Sequence, residues 1–364
     1  MPRLLAKVIV IDPQNIDAAA LEPVAQGLKA GQLAAFPTET VYGLGADAFN
    51  PLAVAAIFAT KQRPMTDPVI VHIADMSDIA AVTDMPWEDL PPNALKLAQK
   101  FWPGPLTMVL PRGKRVPLVV TAGKDTVAVR MPSHPVARAL IRMAGTPLAA
   151  PSANRFGHIS PTTAQHVADD LGARVAWIVD GGPSQVGVES TIVDVMTSPP
   201  TLLRPGGVSA EDLEEVLGEK LARPDRFAVQ VHEAAPAPGM LLSHYAPEAK
   251  LLVFYHKNIE QAWRAALREI AAQAKISRRV GALAPQEYFQ QALAAGAAEA
   301  ALFGAAADSA LAAQALYAGL RALDKAHVAL IVTAIGQTNG IGLALQDRLW
   351  RAAGGIMLDA KNED

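Results

Sequence analysis

Lys61 and Arg63 stand two positions apart, and Pro64 follows. A point charge beside a planar fork, fixed by a proline, suits an anion with several oxygens. The same pair also suits a helix end, where cations favour the C-terminal dipole. Thr38-Glu39-Thr40 supplies two hydroxyls and a carboxylate, followed by Gly43 and Gly45, where a ligand can approach the backbone. A turn whose threonines bond their own backbone is the competing reading there. Ser152, Asn154, Ser160 and Thr162 form a third group, and Thr162 to Gln165 has capping-box spacing. Hydroxyls beside the amides of a helix start make an anion site. No GxSxG pattern surrounds these serines, so positioning is favoured over nucleophilic attack. Ser190 opens a β-rich run, Arg130 and Arg204 close others, and His72 lies near the end of the apolar run from Val69. A satisfied core histidine is the ordinary explanation of a residue like His72.

Several strand ends in one half of the chain thus carry Thr, Ser, Arg or His beside Pro and Gly turns. In an open α/β sheet, ligands bind at such ends. Hydroxyls and fixed cations, with no obvious covalent nucleophile, suit nucleotidyl transfer, which needs positioning and charge neutralisation around a phosphate. A GxxxxGK[ST] phosphate loop is absent. Gly43-Leu-Gly45-Ala-Asp-Ala48 matches a relaxed dinucleotide pattern, but Phe49-Asn50-Pro51 follows where a helix should be under way, so these read as glycines of a tight turn.

The elements that must carry these residues alternate. Candidate strands are 32–36, 69–73, 106–110, 127–130, 147–150, 177–179 and 191–195, with a further strand in the opening run MPRLLAKVIVIDPQ. Helices are expected over 17–30, closed by Gly31, over 52–60, from Thr162 and from Ser209. From 223 to 249 four prolines and little apolar periodicity read as an extended linker. Beyond it LLVFY, a helix at 259–272, VGALA, a helix at 309–323 and VALIVTAI describe a small separate βαβ domain. The domains are therefore 1–222, 223–249 and 250–364.

At 364 residues the chain can build two cores. Its 51% hydrophobic content, carried largely by alanine, includes no run long enough to span a bilayer, and the start does not read as a signal peptide. The cytoplasm is the expected compartment. No cysteine is present, which removes disulfides, thiol nucleophiles and thiolate metal sites, and the eight histidines form no HExxH pair. A net charge of −3 gives no global attraction to nucleic acid. Arg112-Gly-Lys-Arg115 and Lys124 make only a local basic patch.

PTETVYGLG, KQRPMTDPVIVHI, FWPGPLT, VRMP, APSANRFGHISPT, ESTIVD and RPGG follow one another as in YrdC-like proteins. With PGMLLSHYAP and an α/β tail, the chain resembles the long, two-domain branch of L-threonylcarbamoyladenylate synthases over nearly its whole length. The resemblance implies a YrdC-like twisted open α/β sheet with helices, a proline-rich linker and a small Rossmann-like α/β C-terminal domain. It implies a nucleotidyltransferase that joins L-threonine, bicarbonate or CO2 and ATP into threonylcarbamoyl-AMP and pyrophosphate, with Mg2+ assisting. The product would feed a downstream tRNA threonylcarbamoyl transferase acting on adenosine 37.

Carried over by motif, Thr40, His72, Arg130, the Ala150 backbone and Ser190 form the threonine and carbamate pocket. Lys61, Arg63, Asp67, Thr126, Ser152, Ser160, Arg204, His244 and Tyr245 form the ATP contacts, with Lys61 and Arg63 the catalytic pair and no metal ligand from the protein. Asp67 departs from the family's usual Asn. A carboxylate there repels polyphosphate unless it binds Mg2+ or turns away. Two other readings stand beside this one. One is an RNA-binding module of the same fold class, opposed by the net charge and the lack of basic runs with interleaved aromatics. The other is a nicotinamide oxidoreductase resting on the glycine pattern alone.

Overall fold

The computed structural model describes residues 6–224, 237, 238, 240, 245–337 and 339–360. The chain divides into two compact units, Met1–Phe156 with Ser160–Leu241, and Gly157–Ile159 with Leu242–Asp364.

In the first unit the strands are β1 (Lys7–Val10), β2 (Ala34–Phe36), β3 (Gly43–Asp47), β4 (Val71–His72), β5 (Leu106–Pro111), β6 (Thr126–Arg130), β7 (Leu148–Ala149), β8 (Trp177–Asp180), β9 (Thr191–Asp194) and β10 (Thr201–Arg204). They form one mixed sheet in the order β1-β8-β2-β3-β7-β4-β6-β5-β9-β10. β4 and β6 run parallel, β5 runs against β6, and β9 runs parallel to β5. The ends of β4 and β6 therefore meet the starts of β5 and β9. Thr107 and Ser190, at strand starts, therefore come to the same end of the sheet as His72 and Arg130, at strand ends.

Helix Ala18–Lys29 begins where the Asp17 carboxylate accepts from the Ala20 amide, and it packs Leu21, Val24 and Leu28 against Phe36, Val136, Leu140 and Val179. Burying each such side chain contributes about 1.5–3 kcal/mol. Two local expectations are corrected. Gly43–Asp47 is a buried strand paired with β2, not a tight turn. A Cβ on Gly45 would lie 2.6 Å from the Phe36 ring, so the glycine is there for close packing. The helix expected from Thr162 spans Ala164–Leu171, and its cap is Thr163, whose hydroxyl accepts from the His166 amide.

In the second unit β11 (Lys250–Tyr255), β12 (Val280–Ala284), β13 (Glu299–Leu302), β14 (Leu330–Ile335) and β15 (Leu358–Asp359) form an all-parallel sheet in the order β13-β12-β14-β11-β15. Helices Ile259–Lys275, Gln286–Ala294, Ser309–Lys325 and Gly342–Ala352 link the strands. Its core sets Trp263, Ile270 and Ala292 against Val280, Leu330 and Val332. The Trp263 and Tyr288 rings stack at 5.1 Å. No helix among the described residues is long and apolar enough to cross a membrane.

Candidate active site

Helix Pro51–Lys61 ends in Gln62, whose left-handed backbone (φ 56°) turns the chain so that the Arg63 amide bonds back to the Phe58 carbonyl. Lys61 and Arg63 are consequently buried rather than solvated. Lys61 Nζ donates to the carbonyls of Ser152 and Asn154, both at 2.5 Å, and to Asn154 Oδ1 at 3.3 Å. Burial, then the neighbouring Arg63 charge, push this amine well below the usual lysine range. Three acceptors nevertheless demand three donors, which only the ammonium form has. In this structure Lys61 is charged and pins the Ser152–Asn154 loop.

Arg63 donates to the carbonyls of Asp67 and Pro68 at 3.1 and 2.7 Å, and its Nη2 lies 2.8 Å from Asp67 Oδ2. Asp67 is thus the counterion of Arg63. The structure resolves its departure from Asn by turning the carboxylate onto a cation.

A second guanidinium organises another group of side chains. Arg130, at the end of β6, donates to Thr40 Oγ1 at 2.8 Å and the Gly104 carbonyl at 3.3 Å, and pairs with Glu39 Oε1 at 2.7 Å. Thr40 Oγ1 lies 2.8 Å from Thr38 Oγ1, which donates to the Val41 carbonyl at 2.6 Å. His72, opposite Arg130 in the parallel pairing, is buried edge-on to Phe36. Burial first, then the Arg130 charge, lower its pKa to about 3. Its Nδ1 is buried with no hydrogen-bond partner among the described residues.

A third guanidinium, Arg204, donates to the Ser190 carbonyl at 2.8 Å, to Ser190 Oγ at 3.1 Å and to the Pro238 carbonyl at 3.0 Å. Ser190 Oγ also meets Thr107 Oγ1 at 2.7 Å. Beside these groups Ile70, Val109, Ala128, Ile192 and Leu203 form an apolar floor on which Ala237 and Met240 pack.

Of the expected site residues, Thr40 and Arg130 are in direct contact, as are Ser190 with Arg204, Lys61 with Ser152, and Arg63 with Asp67. Ser160 Oγ donates to Glu189 Oε1 at 2.6 Å. The Ala150 amide is spent on the Ile70 carbonyl at 2.9 Å, which leaves only its carbonyl for the pocket role. Thr126 opens β6, at the far end from Arg130, and is half-buried. Tyr245 belongs to the second unit, where it stacks on Tyr317 at 5.9 Å and lies under the Arg348 guanidinium. His244 lies outside the described residues. Sequence reasoning grouped Asn154 with Ser152 and Ser160 and gave no role to Thr107 or Glu189. Glu189 adjoins Ser190 in the chain, and Thr107 closes the FWPGPLT run, which were the available signals.

Guanidinium, ammonium and hydroxyl groups are thus buried within the mixed α/β first unit, and a parallel α/β unit follows. Residues 26–206 match the Sua5/YciO/YrdC family model, described as "Telomere recombination", and residues 208–354 match the C-terminal domain of threonylcarbamoyl-AMP synthase. The chain is 40% identical to threonylcarbamoyl-AMP synthase of Pyrococcus abyssi, covering 95% of this chain and 98% of that one. It is 43% identical to the Bacillus subtilis enzyme of the same name, covering 95% of each. Among solved structures it is similar to P. abyssi Sua5 complexed with L-threonine, at a TM-score of 0.89 and 38% identity, covering 97% of this chain and 99% of that one. A P. abyssi Sua5 variant with a consecutive histidine and tyrosine changed to alanine gives a TM-score of 0.88 at 38% identity, covering 98% of each chain. This chain belongs to the threonylcarbamoyl-AMP synthase family.

Proposed function

We propose that the first unit condenses L-threonine, bicarbonate or CO2, and ATP to threonylcarbamoyl-AMP and pyrophosphate. The observation that carries this reading is the buried Thr40–Arg130 and Ser190–Arg204 pairing of hydroxyls with guanidinium groups. Such pairs offer fixed donors to a carboxylate and a carbamate, and Glu39 offsets the buried Arg130 charge. Arg130 holds the amino-acid carboxylate, and Ser190 and His72 Nδ1 address its amine and carbamate. The threonine ammonium gives one proton to solvent, its neutral amine adds to the carbon of CO2, and the second proton released as the carbamate forms also goes to solvent. A carbamate oxygen then attacks the α-phosphorus as the bond to the pyrophosphate oxygen breaks. Lys61 and Arg63 stabilise charge on the departing pyrophosphate, each exchanging a protein acceptor for a phosphate oxygen. Thr126, Ser152, Ser160 and Arg204 orient the nucleotide.

The described residues contain no group of three His, Asp or Glu side chains able to cage a metal. Asp67, Glu39 and Glu189 are paired with Arg63, Arg130 and Ser160. The donor set fits a Mg2+ carried on the triphosphate and its own waters, where the ion supplies charge neutralisation. The product is an activated carbamoyl donor, and the family resemblance implies a consumer that transfers the group to a tRNA adenosine.

The test is pyrophosphate release from ATP by the full chain, with threonine and bicarbonate each omitted in turn. Release that needs both supports the reading, and ATP turnover indifferent to threonine overturns it.

A further inference from the structure

The second unit contains a crevice of about 230 Å3 that the reaction above does not use. It lies beyond the carboxyl ends of the parallel strands: Lys257 follows β11, Pro285 follows β12, Phe303 follows β13, and Gln337 and Asn339 follow β14. β11 and β14 are neighbours. From β11 the chain crosses to β12, beyond β14, and from β14 it crosses to β15, beyond β11. The helices sort accordingly. Ile259–Lys275 packs with Gln286–Ala294, and Ser309–Lys325 packs with Gly342–Ala352. Two adjacent strands whose connections depart to opposite sides leave an opening between their loops, and open α/β sheets take ligands at this point.

The lining divides by chemistry. Phe303, Ala312 and Leu345 give an apolar wall, and the exposed Lys257, Gln337 and Asn339 bring one cation and two side-chain amides to the rim. Asp308 keeps its charge but is turned onto its own helix start, where its carboxylate accepts from the amides of Ala310 and Leu311 at 3.0 Å each. Gly336 lets the loop after β14 close down, since a Cβ there would lie 3.2 Å from Ile259 Cβ. The volume is below that of drug-sized pockets, about 300–1,000 Å3, so it takes a planar heterocycle inside and leaves an attached sugar and phosphate at the rim.

We propose that this crevice binds a mononucleotide-class ligand. Its base lies against Phe303, the Gln337 and Asn339 amides read the base edge, and its phosphate meets Lys257 at the rim. The inference is independent of the first unit's reaction.

The probe is AMP, and the readout is amide hydrogen exchange across the full chain. AMP should slow exchange in peptides covering 303–312 and 335–345. Adenosine should bind there roughly tenfold more weakly, as loss of a charge-assisted contact requires. Lys257→Glu should weaken AMP by a similar or larger factor, and Ala307→Trp, at an exposed lining position, should block it. No slowing in these peptides overturns the inference, as does slowing that survives both variants or is matched in full by inorganic phosphate. Peptides covering 36–45 and 61–73 report the first unit separately. Slowing confined to them overturns this inference while leaving the proposed reaction untouched.

Discussion

Glu39 and Arg130 are both buried, and each is the other's counterion. Removing one partner of such a pair leaves an uncompensated charge in a poor solvent. Arg130→Ala should therefore destabilise the first unit by about 3–5 kcal/mol, and the double change with Glu39→Gln should recover much of that, as urea unfolding can measure. Arg130→Lys keeps the charge but not the fork, so it should raise the threonine KM more than the ATP KM. His72 gives a pH signature. Its folded pKa of about 3 lies below the unfolded value of about 6.5. The unfolded chain thus binds more protons in that window, and stability present above pH ~6.5 is lost as pH falls toward 3. His72→Gln should flatten this part of the stability profile, and an unchanged slope would show that other groups set it. His134, also buried with a lowered pKa, contributes in the same direction. The types of these residues were legible from sequence, but their pairings were not. The four-residue spacing of Arg63 and Asp67 signals a pair only within a helix, whereas here it is closed by a turn, the Asp67 amide bonding to the Pro64 carbonyl, that follows a left-handed residue.

That residue, Gln62, ends its helix at φ 56° with its own amide and that of Arg63 bonded back to Ala59 and Phe58. The motif favours glycine, since a side chain in the left-handed region costs about 1–2 kcal/mol. Gln62→Gly should raise the thermal midpoint, by about 0.5–1 kcal/mol of stability once the looser unfolded chain is allowed for. A lower midpoint would mean that the Gln side chain makes a contact worth more than the strain. Strands with long apolar runs, such as β5 and β9, could be read from sequence to within a residue or so. β3 could not, because Gly-Leu-Gly-Ala-Asp carries turn residues, and only the Phe36 ring opposite Gly45 explains them. Helix Pro135–Ala144 was missed although its apolar face is clear, because Pro135 at its start reads as a breaker when it is a favoured first residue.

Over the whole molecule, most of the expected linker of 223–249 lies outside the described residues, and those that are described divide between the two units. Ala237 and Met240 pack into the first unit's apolar floor and Pro238 accepts from Arg204, while Tyr245 belongs to the second unit's packing. Proline content signalled an extended chain, but composition alone cannot assign each residue to a core. Met240→Ala should cost the first unit about 2–4 kcal/mol and lower adenylate yield, measured by unfolding and by product chromatography. Full stability in that variant would return the segment to a spacer. The sheet order also bears on how the chain is made. β8 lies between β1 and β2, so β1 has no neighbour in the sheet until residues 177–180 exist. On a ribosome adding about 5–20 residues per second, the emerging polypeptide holds open strand edges for roughly 10–30 s. Nascent chains of this protein should therefore need chaperone cover until β8 leaves the exit tunnel, and stalled fragments ending before it should aggregate.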